Sequence, residues 1–347
     1  MDSAQGVINN SQSTALQDLK NKISQANLPS DISEKLTNLL DFPPQGVDFE
    51  RLLSYIEFVI TLPFNKYSED ILDLNRAKGI LDKNHFGLQV VKDRILEYLS
   101  VLILNKQKGG SISHAPILAF IGLVGTGKTS IAYSIAESLG RPMVRIPFGG
   151  LGDPASLRGQ SRVRVDAEPG LIIKALKNTK VSNPVILLDE IDRVAQETRV
   201  DVMGVLVELL DPAQNHSFVD RYLDFPYNLS QVLFIATANN TTNIATAVMD
   251  RIEPIQMPAY SDEEKMVIGK NYLLPKAMDE AGIDKKMLNI DDNVWPHIIR
   301  PLGFDAGIRS LQRSLQSLCR KVARKIVEKG GGSFKITMEN VGEYIGG

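Results

Sequence analysis

Residues 122–129 read GLVGTGKT and combine a glycine-rich turn with a lysine and a threonine. This order fits the phosphate-binding P-loop pattern. Glycines permit the tight turn that aims backbone N–H groups at phosphate oxygens, and a lysine and a hydroxyl then serve the β/γ-phosphates and Mg²⁺. A glycine-rich turn without nucleotide is the alternative. The predicted nucleotide contacts are Gly122, Gly125, Thr126, Gly127, Lys128, Thr129 and Ser130.

Two acidic residues follow the apolar run 185–188. We expect Asp189, together with Thr129, to hold Mg²⁺, and we expect Glu190 to polarise the attacking water. The alternative is that these acids only cap the next helix. Their position about 60 residues after the P-loop favours the catalytic interpretation.

Three further polar residues could complete an NTPase site. Asn239 follows the apolar run 232–236 and could reach the γ-phosphate and the water, although it could equally be a turn residue. Arg251 precedes another apolar run, and Arg309 begins a long helical stretch. A guanidinium can bind phosphate bidentately. Composition alone favours surface or ion-pair roles for both arginines.

The elements that would position these residues alternate along the middle of the chain. The predicted strands are 116–121, 143–147, 185–188, 232–236 and 252–257. The predicted helices between them are 129–139, 169–178, 200–211 and part of 241–250. This alternation predicts an α/β fold with a parallel sheet flanked by helices.

Helical patterns flank the α/β region on both sides. Apolar spacing of three and four predicts helices from residue 15 to 60, with a capping box at Asp31 and Glu34 and a disordered, polar segment 1–14. After Tyr260 we expect a capping box at Ser261 and Glu264. The helices predicted beyond it are 265–281, 291–300, 305–328 and one from Glu339, with a strand at 334–336. The predicted domains are 1–66, 67–259 and 260–347.

Composition excludes several functional classes. The 347 residues include 43% hydrophobic residues and carry a net charge of −2, so the whole chain has no basic excess for nucleic acid or an anionic membrane. There is one cysteine, Cys319, and no secretory signal or membrane-length apolar run. We expect a cytoplasmic protein without membrane contact.

Several longer motifs occur in one order and carry a family resemblance. Besides the P-loop they are LPFNKYSED at 62–70, HFGLQVVKDRILEYL at 85–99, LLDEID at 187–192, ELLDPAQNH at 208–216 and CRKVARK at 319–325. Over roughly residues 50–347 the chain resembles the AAA+ ATPases, and specifically the ATPase module of Lon proteases.

The resemblance implies a P-loop AAA+ fold, with ATP and Mg²⁺ as cofactors and an adenine pocket bordered by His85, Phe86 and Gly87. Asn239 matches sensor 1. Arg251 matches the arginine finger that acts on a neighbouring subunit, and Arg309 matches sensor 2 of the small helical domain. The implied assembly is a homohexamer that unfolds protein substrates and threads them through a central pore.

Three departures from the family pattern qualify these expectations. Leu123 and Val124 replace two P-loop prolines, which removes two φ restraints. Arg164 occupies the position of the substrate-gripping aromatic residue; either it alters the grip, or Val163 and Val165 grip instead. No protease domain with a Ser–Lys dyad precedes Gly347, which is compatible with an excised ATPase fragment, the reading we favour, or with a stand-alone ATPase.

A second hypothesis is an AAA+ protein that acts on nucleic acid or serves as a regulatory ATP-binding scaffold. The basic residues that suggest it are Arg158, Arg162 and Arg164, and then Arg313, Arg320, Lys321, Arg324, Lys325 and Lys329. The second group is also what a solvated helix face would show. Lon proteins bind DNA as a family, so the resemblance implies at most a weak DNA contact.

Overall fold

The computed structural model describes residues 15–44, 46–108, 116–300 and 307–345. Its centre is a five-stranded parallel sheet, as the sequence predicts. In chain order the strands of the sheet and of two small pairs are β1 (Ile117–Ile121), β2 (Met143–Pro147), β3 (Val185–Asp189), β4 (Phe218–Asp220), β5 (Phe225–Tyr227), β6 (Leu233–Ala238), β7 (Ile252–Gln256), β8 (Leu288–Ile290) and β9 (Phe334–Ile336). The main sheet has the order β2-β3-β6-β1-β7.

Helices surround the sheet and form both flanking regions. In chain order they are α1 (15–25), α2 (Ser30–Asp41), α3 (Val47–Ile60), α4 (Leu74–Asn84), α5 (Gln89–Gln107), α6 (Lys128–Leu139), α7 (Ala155–Arg158), α8 (Leu171–Thr179), α9 (Arg199–Leu210), α10 (Thr246–Met249), α11 (Asp262–Ile268), α12 (Leu274–Glu280), α13 (Trp295–Ile299), α14 (Arg309–Lys329) and α15 (Val341–Ile345). The predicted helix 265–281 is divided into α11 and α12 by a π-helical turn, Gly269–Leu273.

The central strands are apolar throughout because both faces of the sheet are covered. On β1, Leu118 and Phe120 pack with α4, α5 and α6. Ala119 and Ile121 face the opposite core, which is shared with the N-terminal helices and α8 and α9. Since alternate side chains of a strand enter opposite layers, neither face can be polar.

The N-terminal helices pack on the α/β region rather than standing apart from it. The Tyr55 hydroxyl of α3 donates to the carbonyl of Leu223 at 2.8 Å, and the rings of Phe64 and Tyr227 lie 5.1 Å apart. The expected capping box at Asp31 is wrong: Pro29 is the N-cap of α2, and no side-chain cap bond forms. The predicted disorder of 1–14 lies outside the described residues.

The C-terminal region has its own core around α14 and contains the strand pair β8–β9. The capping box that opens α11 is confirmed, because Ser261 and Glu264 satisfy each other's backbone N–H groups. The sequence did not reveal β8 or the β4–β5 hairpin. Within the described ranges, no helix combines the length and apolarity that crossing a bilayer requires.

Candidate nucleotide-binding site

The predicted P-loop connects the end of β1 to the start of α6 at Lys128. Gly125 and Gly127 have φ values of 82° and 95°, a region in which residues other than glycine are strained. The loop is fixed at its start, since the N–H of Gly122 donates to the carbonyl of Ala238 on β6 at 3.1 Å. The free N–H groups at the start of α6 and the helix dipole favour an anion at this place. The local geometry is that of a phosphate cradle.

Lys128 is buried under this loop. Its ammonium group donates to the carbonyls of Gly122 at 2.6 Å and Leu123 at 2.9 Å, and to Asn239 Oδ1 at 3.2 Å. Burial lowers the pKa of Lys128, and nearby carboxylates, led by that of Asp192, oppose this effect. All three acceptors are neutral, two backbone carbonyls and one side-chain amide oxygen, and an anionic phosphate oxygen would be a stronger acceptor.

The hydroxyls of two threonines face Asp189 at the end of β3. Thr237 Oγ1 on the neighbouring strand β6 donates to Asp189 Oδ1, and Thr129 Oγ1 lies 3.4 Å from the same oxygen. Arg145 Nε of β2 contacts the other oxygen, Oδ2, at 2.6 Å. The carboxylate expected to serve Mg²⁺ is therefore next to the threonine expected to share that role.

Asn239, which directly follows β6, turns its side chain into the same cluster. Its Oδ1 accepts from Lys128, and its backbone N–H donates to Asp192 Oδ1 at 3.1 Å. Its Nδ2 is buried and has no hydrogen-bond partner among the described residues. Because an unpaired buried donor is costly, this amide is suited to donate to a group outside the chain. The structure thus brings Asn239 to the P-loop lysine.

Glu190 continues from Asp189 with a φ of 58°, an uncommon value for a residue other than glycine. Its N–H donates to Thr237 Oγ1 at 2.9 Å, which fixes this backbone conformation. Its carboxylate lies 3.4 Å from Arg193 Nη1. Strained backbone that neighbouring bonds hold in place often occurs at functional sites.

The C-terminal helical region closes over the P-loop. The N–H of Ile308 donates to the carbonyl of Gly125 at 3.0 Å. A Cβ on Gly307 would lie 2.5 Å from the carbonyl oxygen of Val124, so only glycine fits without displacement. Arg309 directly follows Ile308 in the chain, and the structure therefore places Arg309 beside the phosphate cradle.

The segment expected to border adenine lies between α4 and α5. His85 is buried, and its Nε2 is 2.9 Å from the Ser134 hydroxyl on α6. Burial, with a smaller effect from Lys92, lowers the pKa of His85 to about 4. Phe86 packs into the core that α6 shares, and a Cβ on Gly87 would lie 2.9 Å from Glu264 Oε1 of α11. The segment therefore touches both the P-loop helix and the C-terminal region.

Arg251 makes different contacts from the other candidates. Its guanidinium donates to Asp211 Oδ2 at 2.9 Å and to the carbonyl of Ala247 at 2.8 Å. These partners belong to the loop after α9 and to α10, not to the P-loop cluster. Within one chain, the structure does not bring Arg251 to Lys128.

Sequence reasoning missed several residues that shape this site. Thr237, between the apolar run 232–236 and Asn239, and Arg145, inside the predicted strand 143–147, were assigned no role from the sequence. Tyr260, which marked a domain boundary, has its hydroxyl 3.7 Å from a Cβ placed on Gly127, and burial raises its pKa to about 12. The signal that could have identified Arg145 was the alternating pattern of β2, because it places Arg145 and Pro147 on the same face of the strand.

The residues present fit a magnesium nucleotide. The described part of the chain contains no group of three histidine, cysteine, aspartate or glutamate residues that could hold a metal ion by itself. Mg²⁺ does not require one, because it usually binds through one or two carboxylates together with substrate phosphates and waters. Asp189 provides one such carboxylate beside the cradle, and the Thr129 hydroxyl lies 3.4 Å from it. The unpaired Asn239 Nδ2 provides a donor for a phosphate or water oxygen.

The parallel sheet, the phosphate cradle, the two acids at the end of β3 and Asn239 at the end of the neighbouring β6 define a P-loop nucleotide-binding protein. Residues 118–259 match the family model "ATPase family associated with various cellular activities (AAA)", and residues 279–334 match "Lon protease AAA+ ATPase lid domain". The chain is therefore an AAA+ ATPase module of the Lon type, with its lid in the C-terminal region.

Curated relatives agree with these matches. A protein named Lon protease from Geobacter metallireducens is 42% identical over 338 residues, which cover 96% of this chain and 40% of that protein. Proteins named Lon protease 2 from Herpetosiphon aurantiacus and Thermus thermophilus are each 39% identical to this chain over 95% of its length. The match covers 41% of the Herpetosiphon protein and 42% of the Thermus protein. The chain spans about 40% of the length of the relatives it matches.

Proposed function

We propose that this chain binds Mg²⁺-ATP and hydrolyses it, and that hydrolysis drives the unfolding and translocation of protein substrates. The observation that carries the first part is the meeting of Lys128, Asp189 and Asn239 under one P-loop, with the Asn239 amide left without a partner in the described chain. Bound Mg²⁺ would neutralise phosphate charge between Thr129 and Asp189.

Each residue of the cluster has a distinct role in this proposal. The P-loop N–H groups and Lys128 bind the β- and γ-phosphates. Glu190 accepts a proton from the attacking water, and Asn239 orients that water through Nδ2. Thr237 fixes both acids, since it bonds the carboxylate of Asp189 and the N–H of Glu190. Arg309, beside Gly125, links the lid to the phosphates.

Arg251 is proposed to act on the ATP of a neighbouring subunit. Its position away from the P-loop of its own chain supports this assignment, and Asp211 and Ala247 hold it in one orientation. A guanidinium supplied in trans can accelerate phosphoryl transfer by about 10³–10⁵. We propose a homohexameric ring in which every nucleotide lies at a subunit interface.

The loop after α7 is proposed to contact the protein substrate. A turn closed by the N–H of Arg164 and the carbonyl of Ser161, 3.0 Å apart, leaves Val163 90% and Val165 70% exposed. Arg162 holds the loop on α3, with its guanidinium 3.9 Å from the Tyr55 ring centroid. Because both valines are exposed on either side of Arg164, we propose that Val163 and Val165 grip the protein substrate. Arg164 would add affinity for acidic segments of that substrate.

The second hypothesis, action on nucleic acid, gains less support. Arg158 pairs with Glu208, and Arg324 and Lys325 of α14 pair with Glu328 and Glu343. The Arg158 pair is mostly buried and the two pairs on α14 are more exposed, and in all three a carboxylate of this chain already neutralises the cation. A weak DNA contact, like a cytoplasmic location, stays a prediction; a steep fall of affinity with salt would mark true phosphate contacts.

The proposal is tested with two variants and their mixture. Glu190→Gln should bind a fluorescent ATP analogue but lose turnover, and Arg251→Ala should keep binding and lose most turnover. Mixing the two should restore activity, because an Arg251→Ala subunit then receives a finger from a Glu190→Gln neighbour. Lys128→Ala serves as the binding-deficient control. Near-normal turnover in Glu190→Gln would refute the role of that residue, and a mixture without rescue would refute sites shared between subunits.

A further inference from the structure

The carboxylate of Asp189 has two differently occupied sides. Its Oδ1 faces the hydroxyls of Thr237 and Thr129, which are neutral partners. Its Oδ2 faces Arg145 Nε at 2.6 Å, a charge-assisted contact. The acid expected to serve the metal ion is thus already paired with a cation of this chain.

Arg145 reaches Asp189 from the edge of the sheet. It lies on the edge strand β2, two residues before Pro147, which is the register partner of Asp189 on β3. Arg145 and Pro147 therefore lie on the same face of β2. The side chain of Arg145 extends along the strand towards the carboxyl end of β2. The side chain of Arg145 is 50% exposed, whereas that of Asp189 is 4% exposed.

This asymmetry decides what the pair can do. A buried carboxylate that loses its cation is costly, so Asp189 needs a positive partner at all times. A half-exposed guanidinium that loses its partner is hydrated by water at little cost. The contact can therefore open from the Arg145 side whenever another cation takes over the charge of Asp189.

With Arg145 in place, each acid near the P-loop lysine lies close to a cation of this chain. Three acids lie around the P-loop lysine, namely Asp189, Glu190 and Asp192. Three cations face them: Lys128 itself, Arg193 beside Glu190, and Arg145 beside Asp189. A divalent ion at Asp189 would add two positive charges, and Arg145 is a half-exposed cation in direct contact with Asp189 Oδ2.

We propose that Arg145 competes with the divalent metal ion for the Asp189 carboxylate. It holds the carboxylate in place before the ion binds, and it would withdraw into solvent once a divalent cation supplies the positive charge that Asp189 requires. Arg145 thereby raises the Mg²⁺ concentration that the site requires. This inference rests on the proposed function of the site as a Mg²⁺-nucleotide site, and it adds a residue that sets the metal affinity.

The test measures nucleotide binding rather than turnover. Fluorescent ADP is titrated into the chain with EDTA, and then at increasing Mg²⁺, for the wild type, Arg145→Gln and Arg145→Lys. Removing one charge close to the ion should lower the half-saturating Mg²⁺ concentration of Arg145→Gln by about threefold to tenfold. Arg145→Lys keeps the charge and should stay within about twofold of wild type. In EDTA, all three should bind the nucleotide alike.

Arg94→Gln is the matched control, because Arg94 is similarly exposed and is paired with Glu97 at 3.2 Å on α5. It should leave the Mg²⁺ dependence unchanged. A half-saturating Mg²⁺ concentration in Arg145→Gln that equals or exceeds the wild-type value, in protein with wild-type far-UV circular dichroism, would overturn the competition. Absence of nucleotide binding by the wild type, with or without Mg²⁺, would instead refute the proposed function and the inference together.

Discussion

Thr237 gives the sharpest stability prediction, because one hydroxyl serves two buried groups. Its side chain is fully buried in β6. The hydroxyl donates to Asp189 Oδ1 and accepts from the N–H of Glu190 at 2.9 Å. Thr237→Val keeps nearly the same shape and removes both bonds. An unsatisfied buried group costs about 1–3 kcal/mol. Asp189 retains Arg145 and Thr129, so we expect a total loss of about 2–4 kcal/mol.

The assay is urea unfolding followed by far-UV circular dichroism, with the slopes compared to check that the variants unfold alike. Thr237→Ser retains the hydroxyl and loses one methyl group, so it should cost about 1 kcal/mol. Thr179→Val is a second control. Its hydroxyl bonds the carbonyls of Ala175 and Leu176 at a helix end that keeps other partners, and the change should cost less than about 0.5 kcal/mol.

The ordering of the three variants is the decisive result. If Thr237→Val is no less stable than Thr237→Ser, the hydroxyl does not hold the two acids, and the geometry assigned to the site is wrong. If the expected order holds, Thr237→Val should also lower ATP turnover more than nucleotide affinity, because Glu190 loses the bond that fixes its backbone.

Two further predictions test other parts of the site. The pKa of His85 is about 4 in the folded chain, compared with 6.5 for an ordinary histidine. The contribution of neutral His85 to stability is therefore complete above pH 6.5 and is lost as the pH falls towards 4, by up to about 3 kcal/mol at about 1.4 kcal/mol per pH unit. The urea midpoint of His85→Gln should depend less on pH over this range than that of the wild type, and an unchanged dependence would contradict the shift. Gly307→Ala places a Cβ 2.5 Å from the carbonyl oxygen of Val124 and should weaken nucleotide binding by displacing the lid. Gly204→Ala is the control, because its Cβ lies in open space on α9, and it should stabilise the chain by about 0.5–1 kcal/mol. Equal nucleotide affinity in the two variants would show that the lid contact is dispensable.

The sequence predicted the sheet well because its strands are buried on both faces. All five strands predicted for the main sheet are observed to within two residues at each end, since continuous apolar runs between helices leave few other structures. The β4–β5 hairpin was missed because each strand has three residues, and one of them contains Pro226. Runs that short show no measurable period.

The site residues that stand at the ends of strands could be predicted from the sequence, whereas those inside strands could not. Asp189, Glu190 and Asn239 stand at strand ends, where polar side chains interrupt an apolar run. Thr237 and Arg145 lie inside strands, and their importance comes from neighbours across the sheet that only the strand order reveals. The order β2-β3-β6 places these two residues on either side of Asp189.

The bonds within the P-loop explain why we expect phosphate binding despite Leu123 and Val124 at the positions where the family pattern has prolines. Lys128 donates to the backbone carbonyls of Gly122 and Leu123, Thr126 donates to the carbonyl of Leu123, and the lid donates to the carbonyl of Gly125. Every one of these acceptors is a backbone group. The side chains of Leu123 and Val124 point outward instead, with 54% and 40% of their residue surfaces exposed. The loop is therefore held by bonds that do not depend on residue type at 123 and 124, and the loss of two prolines removes a restraint without removing a contact.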